Sequence, residues 1–337
     1  LQRLCRRSEG SRATGFALLG CYHKAHSDDA DSAFCPSGHS PIIEAGVNEY
    51  FTSRRSMIED RLDAIARSAA TPPALQEAFR SAMRSAGKRV RGTLTVAVGE
   101  ACGAKVEKLL DSAAAFEMIH ACSLILDDLP SFDDAEVRRG EATLHRTYGE
   151  DLAILSAVGL LNHSYALIGQ NFAALTPRRW NLVELLERVT AAVGWDGTIG
   201  GEAVDLHSEA ASLDFDTLEY IHSRKTGALF VAAAATGAML ANASPSTLRA
   251  VEAYAKNLGL AFQITDDILD VTATRESLGK DVGKDTDRLT FVKLAGVEGA
   301  RRLTEELIDT SIAALTPLGR SAKNLQDLAL VVRDRTK

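Results

Sequence analysis

The strongest constraint on this chain is the spacing of its apolar residues from Val47 onward, which follows steps of three and four. Met57, Ile58, Leu62 and Ile65 repeat in this way, as do Leu182, Leu185, Leu186 and Val189, and Leu303, Leu307, Ile308 and Ile312. Residues so spaced share one face of a helix. Proline is confined mostly to breaks, at Pro72-Pro73, Pro130, Pro177, Pro245 and Pro317, and no long alternating run or Asn-Gly pair marks a strand or hairpin. No repeat of fixed length is evident. With 46% hydrophobic residues in a chain of 337, there is enough apolar material for a large core. The reading is an all-α, single-domain helical bundle of about ten or more helices over residues 47–337.

Residues 1–46 differ. They carry Arg3, Arg6, Arg7 and Arg12, then Asp28, Asp29 and Asp31, and no apolar period holds. They are expected to be a disordered or non-native N-terminal extension. An arginine-rich, acid-poor start is also what a transit peptide looks like. The expected location is therefore cytoplasmic, or plastid if that extension is a transit peptide. The 23 residues from Thr226 to Leu248 carry no charge, a length that would span a bilayer. They are alanine-rich and interrupted by Gly237, Asn242 and Pro245, so a buried helix and no transmembrane segment is the reading. The five cysteines, Cys5, Cys21, Cys35, Cys102 and Cys122, show no zinc spacing and no disulfide framework.

Net charge is −7, which gives general nucleic-acid binding no electrostatic support. An acidic protein that handles anionic substrates must gather positive charge locally or recruit metal cations, and the sequence holds material for both. Asp127-Asp128 and Asp133-Asp134 follow the apolar run Leu124-Ile125-Leu126, and Pro130 between them disfavours regular helix, so that a local bulge can return Asp133 to Asp127. Asp266, Asp267 and Asp270 stand in an apolar segment; Asp266 and Asp270 share a helical face with Gln263. A single acidic helix end is more often simply solvated. Two, each emerging from an apolar helix, point to one site that takes several hard cations such as magnesium. Basic groups interleave with them: Lys88, Arg89 and Arg91 after Gly87, the pair Arg138-Arg139, Lys225, and Lys280, Lys284 and Arg288. Arginine forks and lysine point charges recognise phosphate. Alternation of acids for metal with bases for phosphate describes a site for two diphosphates. His120, seven residues before Asp127, is on spacing alone as readily a core histidine as a diphosphate contact.

These residues resemble the trans-isoprenyl diphosphate synthases, and most closely the geranylgeranyl diphosphate synthases. The run Ile125–Asp134 continuing to Arg138-Arg139-Gly140 is similar to that family's first aspartate-rich motif, and Asp266–Asp270 to its second. Gly87–Arg91, His120, Thr143 with His145, Gly149-Glu150, Gly200-Gly201, Lys225-Thr226, Gln263 and Gly279-Lys280 follow in family order. The resemblance spans residues 47–337 and implies the isoprenoid synthase fold, a bundle around a central elongation cavity. It implies a prenyltransferase that condenses isopentenyl diphosphate head to tail with allylic diphosphates, and a homodimer. It implies that Asp127, Asp128, Asp133, Asp266, Asp267 and Asp270 hold Mg2+ ions on the allylic diphosphate, which Arg138 also binds. Lys88, Arg91, His120 and Arg139 would bind isopentenyl diphosphate. Lys225, Thr226 and Gln263 would line the allylic side, and Lys280 would help cap the site.

Product length is expected to follow from Cys122, five residues before Asp127, where a bulky aromatic in this family tends to stop growth at fifteen carbons. Cys122 and Ser123 are small, so twenty carbons, geranylgeranyl diphosphate, is the expected product, with the next floor expected on the helix of Leu160, Leu161, Tyr165 and Ile168. Farnesyl or longer-chain synthesis is the alternative; a class I terpene cyclase or a non-catalytic synthase subunit would not need both the Gly87–Arg91 motif and two intact acidic clusters. Three departures stand out: Gly92 where the family usually has proline, Glu202 where glutamine is frequent, and a shortened stretch after Lys284 with Arg288 where lysine often stands.

Overall fold

The periodic segments become helices in a computed structural model that describes residues 41–68, 72–84, 87–208, 214–272 and 290–335, with side chains from Glu49 onward. The helices are α1 Pro41–Ser68, α2 Pro73–Arg84, α3 Val90–Ala101, α4 Leu110–Asp127, α5 Leu144–Tyr148, α6 Glu150–Leu175 and α7 Leu182–Val193. After them come α8 Thr198–His207, α9 Phe215–His222, α10 Ala228–Leu240, α11 Pro245–Thr272, α12 Phe291–Ala314 and α13 Lys323–Arg333. From Ala45 onward they form one compact unit; the unit Leu1–Glu44 lies outside the described residues apart from 41–44. The expectation for residues 1–46 thus falls almost wholly outside what is described.

The centre of the bundle is built by α3, α4, α10 and α11. Eleven of the thirteen residues of α10 are buried, and five of those eleven are alanine, which lets it run close to α3 and α11. The uncharged stretch that would span a bilayer by length is therefore divided. It enters α10 from a π-helical turn, Ser223–Gly227, and breaks again before Pro245. The described helix that is long and apolar enough to cross a membrane is α6, at 26 residues. Its inner face, with Ala157, Leu160, Leu167 and Ile168, packs into the core beside α4.

One feature departs from a purely helical reading. Val137–Arg138 (β1) pairs antiparallel with Glu141–Ala142 (β2), with Arg138 opposite Glu141. The two residues between them, Arg139 and Gly140, both have positive φ, 56° and 84°. That is what a two-residue primed turn requires. Strands of two residues are too short to show alternation, so the sequence pattern carries no trace of them.

Candidate active site

Helix α4 ends with its last residue, Asp127, at the carbonyl end of its dipole, and Asp128 follows as its C-cap. Negative charge is disfavoured there, so these acids need cations. The chain folds back at Pro130 as its sequence suggests. The amide of Asp133 donates to the Asp127 carbonyl at 2.9 Å, the amide of Asp134 to Leu129 at 3.1 Å and that of Ala135 to Asp128 at 3.2 Å. Asp133 is thereby returned beside Asp127. Thr143 fixes the far side of this loop by donating its hydroxyl to the Ala135 carbonyl at 2.8 Å, and it lies 3.1 Å from His145 Nδ1.

A cavity of about 1500 Å³ opens at this point. Every described residue expected in the site lines it except Asp267. These are Lys88, Arg91, His120, Cys122, Ser123, Asp127, Asp128, Asp133, Arg138, Arg139, Lys225, Thr226, Gln263, Asp266 and Asp270. Lys280, expected to cap the site, lies outside the described residues, as do Lys284 and Arg288.

The acids differ in their partners. Neighbours on a helix point about 100° apart, and in each Asp-Asp pair the two side chains go different ways. Asp128 is buried against Arg138, whose Nε and Nη2 donate to its Oδ1 at 2.7 and 2.6 Å. Asp267 is buried too, and its Oδ2 accepts the Phe291 amide at 3.0 Å, tying α11 to the start of α12. Asp127 and Asp266 line the cavity, as Asp128 also does beside its arginine. Burial, then the charges of Glu202 and Asp133, push the Asp127 carboxyl up to about 7. Asp266 Oδ1 accepts from Arg335 Nη2 at 2.7 Å, and that guanidinium lies 4.4 Å from the Phe262 ring centre.

The opposite pole is basic. His120 is buried, and its pKa is held well below the ordinary imidazole value by desolvation and then by Arg91, Arg139, Arg138 and Arg89. Its Nδ1 is buried without a hydrogen-bond partner. Arg91 is lowered to about 10 by burial, and the Arg139 pKa is lowered by burial and by Arg138 and Arg89. So much like charge beside a neutral histidine is costly unless an anion enters. Within the basic motif the roles differ. Arg89, in the left-handed region at φ 50°, donates to the Met83 carbonyl at 2.9 Å and pairs with Glu59 at 3.6 Å. Arg91 lies 5.1 Å from the centre of the Phe230 ring. The departure at Gly92 has a physical reason. Its amide donates to buried Glu117 Oε1 at 2.8 Å, a bond proline cannot make. A Cβ there would also stand 2.9 Å from the Ala113 carbonyl oxygen.

On the allylic side, Thr226 Oγ1 donates to Gln263 Oε1 at 2.9 Å, which joins two residues 37 apart in sequence. Lys225 reaches Glu202 at 2.6 Å and Asp205 at 2.7 Å. Burial works against its charge, but Asp205 and then Glu202 outweigh it and raise its pKa. Deeper in, Cys122 is buried at the wall, its thiol pushed up to about 12 by burial and by Asp127. Of the four residues expected on the next floor, Leu161 lines the cavity; Leu160 and Ile168 are wholly in the core, and Tyr165 packs against it.

The residues fit divalent cations. A carboxyl pushed up to about 7 by burial, with Asp133 folded back beside it and Asp266 and Asp270 on the same cavity, is a set of hard oxygen donors of the kind divalent cations take. Among the described residues no three acids or histidines converge as a closed cage, which suits an ion that keeps water and phosphate oxygens as ligands.

Sequence reasoning passed over four groups: Glu117, Asp205, Arg335 and, as more than a departure, Glu202. Glu202 and Asp205 stand three apart on one face of α8, a legible signal. Arg335 is 69 residues from Asp266 and nothing local marks it.

Comparison with known proteins agrees with this geometry. A sequence model of the family described as Polyprenyl synthetase matches residues 72–313. The chain is 36% identical over 318 residues to a dimethylallyltranstransferase of Fischerella ambigua, covering 93% of this chain and 91% of that one. It is 38% identical over 286 residues to a chloroplastic geranylgeranyl pyrophosphate synthase of Capsicum annuum, covering 82% and 77%. A solved FPP/GFPP synthase from Zymomonas mobilis superposes with a TM-score of 0.74 at 30% identity, covering 85% and 99%.

Proposed function

The chain belongs to the polyprenyl synthetase family, a family of prenyltransferases with the all-α isoprenoid synthase fold, and from that premise we propose that it makes geranylgeranyl diphosphate. The reaction class is condensation of isopentenyl diphosphate with allylic diphosphates. The observation that carries the reading is one cavity with an acidic pole, a basic pole and an apolar interior whose wall at Cys122 is small.

Each part of the cavity has a task. Enzymes of this family use Mg2+. When bound, such ions offset diphosphate charge and draw electrons from the breaking C–O bond. Asp127, Asp133, Asp266 and Asp270 are the residues that would hold them, with Asp128 and Asp267 acting through Arg138 and the start of α12. The basic pole orients isopentenyl diphosphate, with His120 and the arginines around it supplying hydrogen bonds and charge. Arg138 and Lys225 stabilise the allylic diphosphate as it leaves. Its departure yields an allylic carbocation beside apolar side chains. The double bond of isopentenyl diphosphate attacks that carbocation, forming the new C–C bond, and a proton passes to the released diphosphate. Thr226 and Gln263 place oxygen dipoles near the developing charge, and the buried wall of α4 keeps water from trapping the cation.

A homodimer belongs to the proposal. The outer face of α6 leaves Ile154, Leu155 and Val158 exposed, and the same face of a second copy would cover them. The chloroplastic relative supports a plastid location, with residues 1–46 as transit peptide.

The test is incubation with Mg2+, isopentenyl diphosphate and, in turn, dimethylallyl, geranyl and farnesyl diphosphate, followed by chromatography of the dephosphorylated products. A twenty-carbon product from each starter is expected. Growth that stops at fifteen carbons overturns the product, and no condensation with any starter overturns the reading.

A further inference from the structure

Lys225 is held by a device that involves Glu202, the residue standing where glutamine is frequent. The lysine lies in the π-helical turn Ser223–Gly227 between α9 and α10. Such turns often mark functional sites. Helix α8 passes that turn at the limit of contact. A Cβ on Gly201 would stand 2.4 Å from the Lys225 nitrogen and 2.9 Å from its Cα, so only glycine lets the two backbones approach this closely. The residue after the glycine is thereby delivered to the lysine side chain. Glu202 Oε2 lies 2.6 Å from Nζ, and Asp205, one turn on, places Oδ2 at 2.7 Å. All three side chains are largely buried, at 24%, 15% and 20% exposure.

An ammonium has three N–H donors. Two are committed to the carboxylates of α8, and one is left in a cavity that Lys225 lines. The lysine stem is long and flexible, and Asp127 is close enough to act on the same ammonium. Without Glu202, the ammonium has two anchors left, Asp205 and Asp127, and the second is an acid assigned to the cations.

We propose that Glu202 is a positioning residue. With Asp205 it clamps Lys225 so that one N–H remains for the allylic diphosphate, and it keeps the ammonium from closing onto Asp127. This rests on the reading of Lys225 as a group that meets that diphosphate.

The experiment is a double-mutant cycle in the full chain with Mg2+, isopentenyl diphosphate and geranyl diphosphate, with melting curves recorded in parallel. Glu202→Ala is expected to lower kcat roughly 10- to 100-fold, the range that one hydrogen bond to a charged group sustains. KM for isopentenyl diphosphate should not move. Glu202→Gln keeps an acceptor at the same reach and should recover most of the rate. In a Lys225→Ala background, Glu202→Ala should cost nothing further, because the clamp has nothing to hold. A residue that merely supports α8 would instead lower rate and melting temperature alike in both backgrounds, and that result overturns the inference. So does Glu202→Gln losing as much as Glu202→Ala, a result that stands even if the alanine variant is too unstable to assay. Full activity of Lys225→Ala alone fails the underlying reading of Lys225, and the inference falls with it.

Discussion

Asp127→Asn should make the metal-free protein more stable while abolishing turnover, and the gain should depend on pH. The Asp127 carboxyl is carried from 3.8 to about 7, mainly by burial and then by Glu202. A folded pKa raised above the unfolded one contributes stability that is fully present below pH 4 and lost as pH rises through about 7. Asparagine has no such loss. Each pH unit between 5 and 7 is worth about 1.36 kcal/mol, so the advantage of the variant should grow by roughly 2 kcal/mol from pH 5 to pH 8, allowing for screening by water that reaches a cavity-lining carboxyl. Urea midpoints of both proteins at pH 5 and pH 8, in chelator, measure this. Taking the difference between proteins and then between pH values cancels every titrating group that does not interact with Asp127. Added Mg2+ with inorganic diphosphate should stabilise the wild type and leave the variant nearly unmoved. A stability difference that stays the same at both pH values would refute the claim that Asp127 is a buried carboxylate short of a cation.

Further outcomes follow from the same geometry. Cys122 sits five residues below Asp127, about 7.5 Å along α4, so Cys122→Phe should shift the main product from twenty carbons to fifteen. Excluding five carbons forfeits burial worth up to about 4 kcal/mol; chromatography of the products decides, and a well-folded variant still making twenty carbons would sink the chain-length argument. Gly92→Pro removes the amide that serves buried Glu117 and adds a Cβ against Ala113, and should destabilise by roughly 2 kcal/mol or more by urea denaturation. Arg335→Gln removes the guanidinium from Asp266 and Phe262 and should alter the Mg2+ concentration needed for half-maximal rate; an unchanged metal dependence would show that this contact is only a tether for the end of α13.

The helices were legible because their apolar spacing is long and regular, and the convergence of the two acidic clusters was legible because each ends an apolar run. The return of Asp133 to Asp127 was foreseeable from Pro130 alone. What was not legible is how neighbouring acids divide their work. Asp128 and Asp267 have the same residue type and local pattern as Asp127 and Asp266, and only the fold supplies Arg138 to one and the Phe291 amide to the other. The hairpin that presents Arg139 is shorter than any period. Arg335 meets Asp266 from 69 residues further along the chain, a contact that no sequence spacing encodes.

The proposed function requires one cavity to hold two diphosphates by different means, and titration calorimetry tests that directly. Isopentenyl diphosphate should bind the basic pole without metal, and an allylic thiolodiphosphate, which resists ionisation, should bind only when Mg2+ is present. The first heat should fall in Arg91→Ala and the second in Asp266→Ala, each leaving the other intact. If both ligands bind equally well in chelator, or if one displaces the other at a single site, the two-pole account is contradicted.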